Sequence, residues 1–385
     1  MTRRGWVVMV TLLLAGLAAV AGFGRRLRPT VPTTLQLEEL RTQARELPPD
    51  RDAPSDSAWV SLLHGARIVG IGEGTHGNRE FHRFQLAAMR ALVEETGFRL
   101  ILLEAPWSAS WQAERFLSGG GGSAEQALDA FRFPLLQSDV MLDLFRWVHD
   151  FNAPRPPSDR IRLLGIDPQG YDARALGSGT GRAPAIVAQD RFVARQATRL
   201  AETSWTWLQV LRRDRDMFHN IEWALANLPI GAGAVLLAHN GHLAREWPFL
   251  GWRLARRFPS TYAAVASAGY GGSVMAFSPR SGRITEQRLM AAPPGSLERA
   301  LHDAGLRRAW LPLRHLDVTA GVQTGWLERR VAIRSIGAAL DEADQAGTFV
   351  SEPLGDRWDA VIFFDVLHPS RLHPTVAGAR VGGVR

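Results

Sequence analysis

Two histidine pairs and three carboxylates sit where strand-type runs end. Glu73-Gly-Thr-His76 follows the apolar run Arg67–Ile71, and His239-Asn-Gly-His242 follows Ala234–Ala238. Glu104 closes Arg99–Leu103, and Asp167 closes Arg160–Ile166. In open α/β sheets the crevice outside the carboxyl ends of the strands is where ligands bind. Four such ends carrying acid/base residues point to one shared site. A histidine titrates near neutral pH, so it can take a proton from water. A carboxylate beside it orients the ring and stabilises its charged form. A second histidine can polarise a carbonyl or protonate a leaving group.

The catalytic candidates are therefore His76, Glu73, Glu104, His242 and His239. Arg79, one turn on, is a candidate for an anionic part of a substrate. Trp107 follows Glu104 closely enough to floor a pocket. Asp167 and Asn240 complete the substrate-binding candidates. The same His/Glu set suits a divalent ion such as Zn²⁺, but the helical His-Glu-x-x-His pattern is absent. No Gly-x-Ser-x-Gly elbow occurs, which disfavours a serine hydrolase. The inventory leaves water activation without a protein nucleophile. It requires no cofactor, with a divalent metal as the alternative. His82 is a further candidate to line the pocket, although a helix-surface position is the plainer reading.

Composition narrows the chemistry further. The chain has 385 residues, no Cys and no Lys, so all 45 basic residues are Arg. Thiol nucleophiles, disulfides, Schiff-base lysines and a P-loop lysine are excluded. A net charge of +7 without a basic run interleaved with aromatics gives nucleic-acid binding little support.

The elements that position these residues follow from periodicity. The apolar run Trp6–Phe23 behind Arg3 and Arg4 reads as a signal peptide or membrane anchor over residues 1–28, so the body is expected outside the cytoplasm. Membrane contact is expected only if that segment is retained. Residues 29–56 form a linker and a first helix, Leu35–Leu47, stopped by Pro48-Pro49. Ser57 caps a short helix to Leu63. A helix over Asn78–Glu95 stops at Gly97. Helical insertions at about 108–152 and 185–228 are long enough to cap the strand ends. Trp247–Arg257 reads as helical. Thr261–Ala268 and Ser273–Phe277 read as paired strands across a Gly269–Gly272 turn. A last strand, Asp359–Phe364, precedes a frayed tail over 369–385. The fold class is α/β, a mainly parallel sheet flanked by helices, with one main domain over 57–368.

The assembled motifs resemble the erythromycin esterase family. They are Gly72-Glu-Gly-Thr-His-Gly77, Glu80-Phe81, Leu103-Glu104-Ala105, Gly165-Ile-Asp167, Arg213-Asp214-x-x-Met217-x-x-Asn220 and Ala238-His-Asn-Gly-His242. The resemblance implies hydrolysis of an ester or lactone, such as a macrolide ring, by activated water without a covalent intermediate. It places the general base on His76, its supporting carboxylates on Glu73 and Glu104, and the second histidine pair on His239 and His242. An Arg often found in the family on the helix after the first motif has no clear counterpart here; Gln85 stands near that place. The fold also resembles envelope haem-binding and metal-dependent peptidase proteins, the alternative use of the same cleft.

Overall fold

A strand buried on both faces needs a run of apolar residues with no charge inside it. Ile68–Glu73 and Ala234–His239 meet that requirement and lie at the centre of the sheet. The computed structural model describes residues 30–176, 182–202, 207–313, 326–327 and 329–373. Its strands are β1 (Arg45–Glu46), β2 (Ile68–Glu73), β3 (Leu100–Pro106), β4 (Arg162–Asp167), β5 (Ala234–His239), β6 (Tyr262–Ser278), β7 (Arg283–Leu289), β8 (Arg308–Pro312), β9 (Arg330–Arg334), β10 (Phe349–Pro353) and β11 (Ala360–Leu367).

The main sheet runs β1-β8-β11-β6-β2-β5-β3-β4, with β7 added beside β6. From β11 to β4 every neighbouring pair is parallel, and the edges β8 and β1 are antiparallel. The mainly parallel α/β sheet is thus as the sequence implies. Because β5 lies between β2 and β3, Glu73 pairs in register with His239, and the ends of β3 and β4 follow on one side.

Alternation along each strand divides the core. Val69 and Ile71 pack with Phe81, Phe84 and Met89 of the helix Arg79–Thr96. Ile68 and Leu236 face Met217 and Ile221 of the helix Trp207–Asn227. Asn78 caps the first of these helices by accepting from Phe81 N at 2.9 Å, and Gly97 ends it in the left-handed region. The two helical insertions pack on the faces of the sheet and overhang its carboxyl edge through Phe133, Arg213 and Asp214.

Several expectations need correction. Residues 262–278 form one strand, not two across a turn. The start of β6, Tyr262–Val265, pairs with β2, its middle from Val265 to Gly272 with β11, and Gly272–Ser278 with β7. Gly272 (φ 111°) serves close approach here: a Cβ on it would stand 2.1 Å from the Leu367 carbonyl oxygen. The first helix ends at Gln43, where the chain turns into edge strand β1. Asp56, not Ser57, caps the second helix. The helix expected from Trp247 starts at Leu250, after Pro248. Residues 369–373, expected as the start of a frayed tail, are tied down: Pro369 bridges Asn78 and Leu372 bridges Ser138. The leader expected over 1–28 and the tail beyond 373 lie outside the described residues. Among the described residues no helix is long and apolar enough to cross a membrane.

The reading of β6 has a direct check. A Cβ on Gly271 meets nothing within 4 Å. Gly271→Ala is expected to change stability by less than about 0.5 kcal/mol. Gly272→Ala is expected to cost at least about 2 kcal/mol. Urea denaturation of both variants measures the contrast, and equal tolerance would mean that the segment is a turn.

Candidate active site

The loop after β2 turns back so that His76 Nδ1 lies 2.6 Å from Glu73 Oε1. The second oxygen, Oε2, lies 3.1 Å from His82 Nε2. Glu73, His76 and His82 are all buried, so one carboxylate serves two rings. His82 is fixed from behind, its Nδ1 lying 3.4 Å from Ser138 Oγ and 3.3 Å from Ser370 Oγ. The loop itself is held by a distant segment. Ile336 N donates to Gly74 O at 2.8 Å, His76 N to Gly337 O at 3.1 Å, and Thr75 Oγ1 to Gly337 O at 3.0 Å.

A second cluster builds on β3 and β4. Arg213 Nη2 donates to Glu104 Oε1 at 2.7 Å and to Asp167 Oδ2 at 2.6 Å. His242 lies between carboxylates, with Nδ1 2.8 Å from Asp214 Oδ1 and Nε2 3.1 Å from Glu104 Oε1. Arg213 Nη1 is 3.1 Å from the same Nε2. Three carboxylates thus surround two cations.

His239 joins the clusters. Its backbone N–H donates to Glu104 Oε2 at 2.8 Å, and its ring centroid is 5.5 Å from that of His76. Gly241 N donates to His239 Nδ1 at 3.1 Å. That bond makes Nδ1 an acceptor, so in the neutral ring the proton is on Nε2. Phe133 closes the other side of His76, edge-on with centroids 5.2 Å apart.

The electrostatics give the rings different roles. Burial pushes the Glu73 carboxyl up, but the charge on His82 and the hydrogen bonds from His76 and His82 outweigh it and bring it to about 2. Burial lowers His76, but its bond and charge interaction with Glu73, helped by Glu104, raise it above the ordinary histidine value. Burial lowers His239, and the neighbouring His76 charge adds to this, bringing it to about 3. Burial also opposes charge on His242, yet Asp214 and Glu104 raise it to about 10. Glu104 is held well below the carboxylate range, with His242 and Arg213 overcoming its burial. At neutral pH His242 is therefore a fixed cation, His239 a neutral N–H donor, and His76 the ring that exchanges a proton.

The candidates thus fall into two groups. His76, Glu73, Glu104, His239 and His242 come together at one edge, but His239, not His242, faces His76. Asp167 belongs to the ionic cluster. The other three substrate-binding candidates lie elsewhere. Trp107 is wholly buried and donates to Asp190 Oδ1 at 2.8 Å, so it packs the core and floors no pocket. Asn240 Nδ2 donates to Ser267 O at 2.9 Å and clamps its loop to β6. Arg79 turns into a separate cavity beside the helix Arg79–Thr96.

His82, Arg213 and Asp214 are the site residues that periodicity could have found. His82 shares the buried helix face with Gln85 and Met89, at spacings of three and seven. Arg213 and Asp214 fall on the face of Val210, Met217 and Ile221. A charge on a buried stripe must have a partner. The Ile336–Gly337 brace has no comparable signal. Among the described residues no group of three or more His, Asp and Glu side chains is arranged to hold a metal ion.

The ionic cluster has a testable cost. Arg213→Met leaves Asp167 a buried carboxylate without its cation and Glu104 with His242 alone, and is expected to destabilise the protein by about 3–5 kcal/mol. Urea denaturation measures it. A loss below about 1 kcal/mol would mean that the carboxylates are hydrated rather than dependent on Arg213.

Comparison with known proteins bears on the family and the fold. Over 108 residues the chain is 33% identical to erythromycin esterase type I of Escherichia coli, covering 28% of this chain and 25% of that protein. The match thus spans about a quarter of the relative's length. A solved protein from Bacillus cereus superposes with a TM-score of 0.73 at 20% identity, over 89% of this chain and all of its own. A mutant of the erythromycin esterase EreC in its open conformation gives 0.56 at 17% identity, over 89% of this chain and 99% of its own. At these identities the structures speak for the fold. The model of the family described as erythromycin esterase matches residues 93–183 and 173–367, more than half of the sequence. The chain belongs to the erythromycin esterase family.

Proposed function

We propose that this protein hydrolyses a carboxylic ester or lactone with water activated by His76. The observation that carries the reading is the buried Glu73–His76 pair at 2.6 Å, with the His239 ring 5.5 Å away. Glu73 takes up Nδ1, which leaves Nε2 as the nitrogen of His76 free to accept a proton. Water attacks the carbonyl carbon as its proton moves to Nε2. The carbonyl π pair moves onto oxygen, where the neutral His239 Nε2–H is the candidate donor. When the intermediate collapses, the ester C–O bond breaks and the alkoxide takes the proton back from His76. Glu73 stabilises the imidazolium between these steps without itself being protonated. Glu104 and His242 position His239 from behind.

The substrate class is an ester or lactone. The macrolide ring suggested by the relatives' name is the first member to test, and the apolar leader supports action outside the cytoplasm. His76→Ala is expected to lower kcat by about 10²–10⁴ in a folded protein. An ester and macrolide hydrolysis assay checks this, and unchanged turnover would rule out His76 as the base.

The pH profile follows from the raised His76. A base works unprotonated, so kcat/KM is expected to rise with pH along a limb centred above the ordinary 6.5. Removing the carboxylate charge in Glu73→Gln should move that limb to lower pH while lowering kcat. A limb that stays in place would show that another group titrates.

A further inference from the structure

Beside the proposed site, a cavity of about 470 Å³ opens between the helices Arg79–Thr96 and Asp139–Asn152. Arg79, Arg83 and Arg90 enter it from one helix face, being four and eleven residues apart. Arg371 lines it from the segment that crosses over His82. Asp52, Asp139 and Asp143 are also in the wall, but their side chains are engaged. Asp52 pairs with Arg83 at 3.0 Å and Arg308 at 3.3 Å. Asp143 pairs with Arg146 at 3.4 Å, and Asp139 Oδ1 accepts from Val140 N at 2.8 Å.

Three guanidiniums are left without a short carboxylate contact. The nearest to Arg79 is Glu80, at 3.7 Å, and Glu80 is itself bonded to His368. Arg90 lies over the Trp147 ring at 5.5 Å. Arg371 has no carboxylate partner among the described residues. The Nε atoms of Arg79 and Arg90 are buried with no hydrogen-bond partner. A buried donor left unpaired costs free energy, and like charges around one cavity repel. One bound oxyanion relieves the repulsion.

We propose that this cavity binds a phosphate group. Guanidinium forks match phosphate oxygens in pairs, and a dianion with several oxygens can serve three forks where a carboxylate cannot. The proposal is independent of the esterase reading, because neither Arg90 nor Arg371 belongs to the acid/base clusters.

The test is calorimetric titration of the full chain with inorganic phosphate, ionic strength being held constant with chloride. Saturable binding is expected, weakened at least about tenfold in Arg371→Gln, which loses a charge-assisted bond. Arg90→Gln is the second variant, with circular dichroism to confirm its fold. Ester hydrolysis without phosphate is expected to be unchanged in both. Absence of saturable heat, or equal affinity in the parent and Arg371→Gln, would overturn the proposal. A phosphomonoester in place of inorganic phosphate then distinguishes the sources: tighter binding points to a phosphorylated molecule, and equal binding to the free ion.

Discussion

A guanidinium taken out of water must be surrounded by acceptors, and Arg213 is. Its contacts with Glu104 and Asp167 draw together the ends of β3 and β4, while its helix delivers Asp214 to His242. Burial alone would lower the Arg213 pKa, and Asp167 and Glu104 raise it instead. Glu104 then accepts from the backbone of His239 and sets the height of that ring beside His76. The neutral donor and the proton acceptor face each other because a cation on the far side of β5 holds the intervening carboxylate still. A buried ion cluster of this kind contributes little net stability. What it gives is geometry.

The Glu73 wall works differently. It is a single anion between two rings, and its charge favours a proton on His76. The surplus carboxylate of the Arg213 cluster acts in the same direction. His239 pays the opposite cost: beside a chargeable neighbour and away from water, it stays neutral. Three histidines of one chain thus take three roles, and the difference lies in what surrounds them.

Much of this was legible from periodicity. The central strands are apolar because both faces are buried, so their ends, and the charged residues there, could be read directly. Glu73, His76, Glu104, His239 and His242 are found that way. The edge strand β1 is only the exposed pair Arg45-Glu46, and its neighbour β8 has only five residues, which hides them. The Gly269–Gly272 stretch has turn composition, but Gly269 and Gly272 answer a neighbouring strand that no local pattern reveals. Trp107 illustrates a further limit: a large aromatic near a strand end packs a core as readily as it floors a pocket. The choice between His239 and His242 depends on Asp214, which comes from a remote helix.

The Gly74–Gly77 loop also bears on how the chain folds. Its neighbours are Gly337, Met275 and Ser370, all contributed by the second half of the sequence. A Cβ on Gly77 would stand 1.7 Å from the Met275 carbonyl oxygen, so that seam closes backbone to backbone. Contacts of such long sequence separation form late, because the intervening chain must be ordered first. During synthesis the acid/base residues near the amino terminus emerge early but stay unorganised until residues beyond 370 have left the ribosome. An unfinished chain carries the histidines without the carboxylate pairing that raises His76 and His242 and without the burial that keeps His239 neutral.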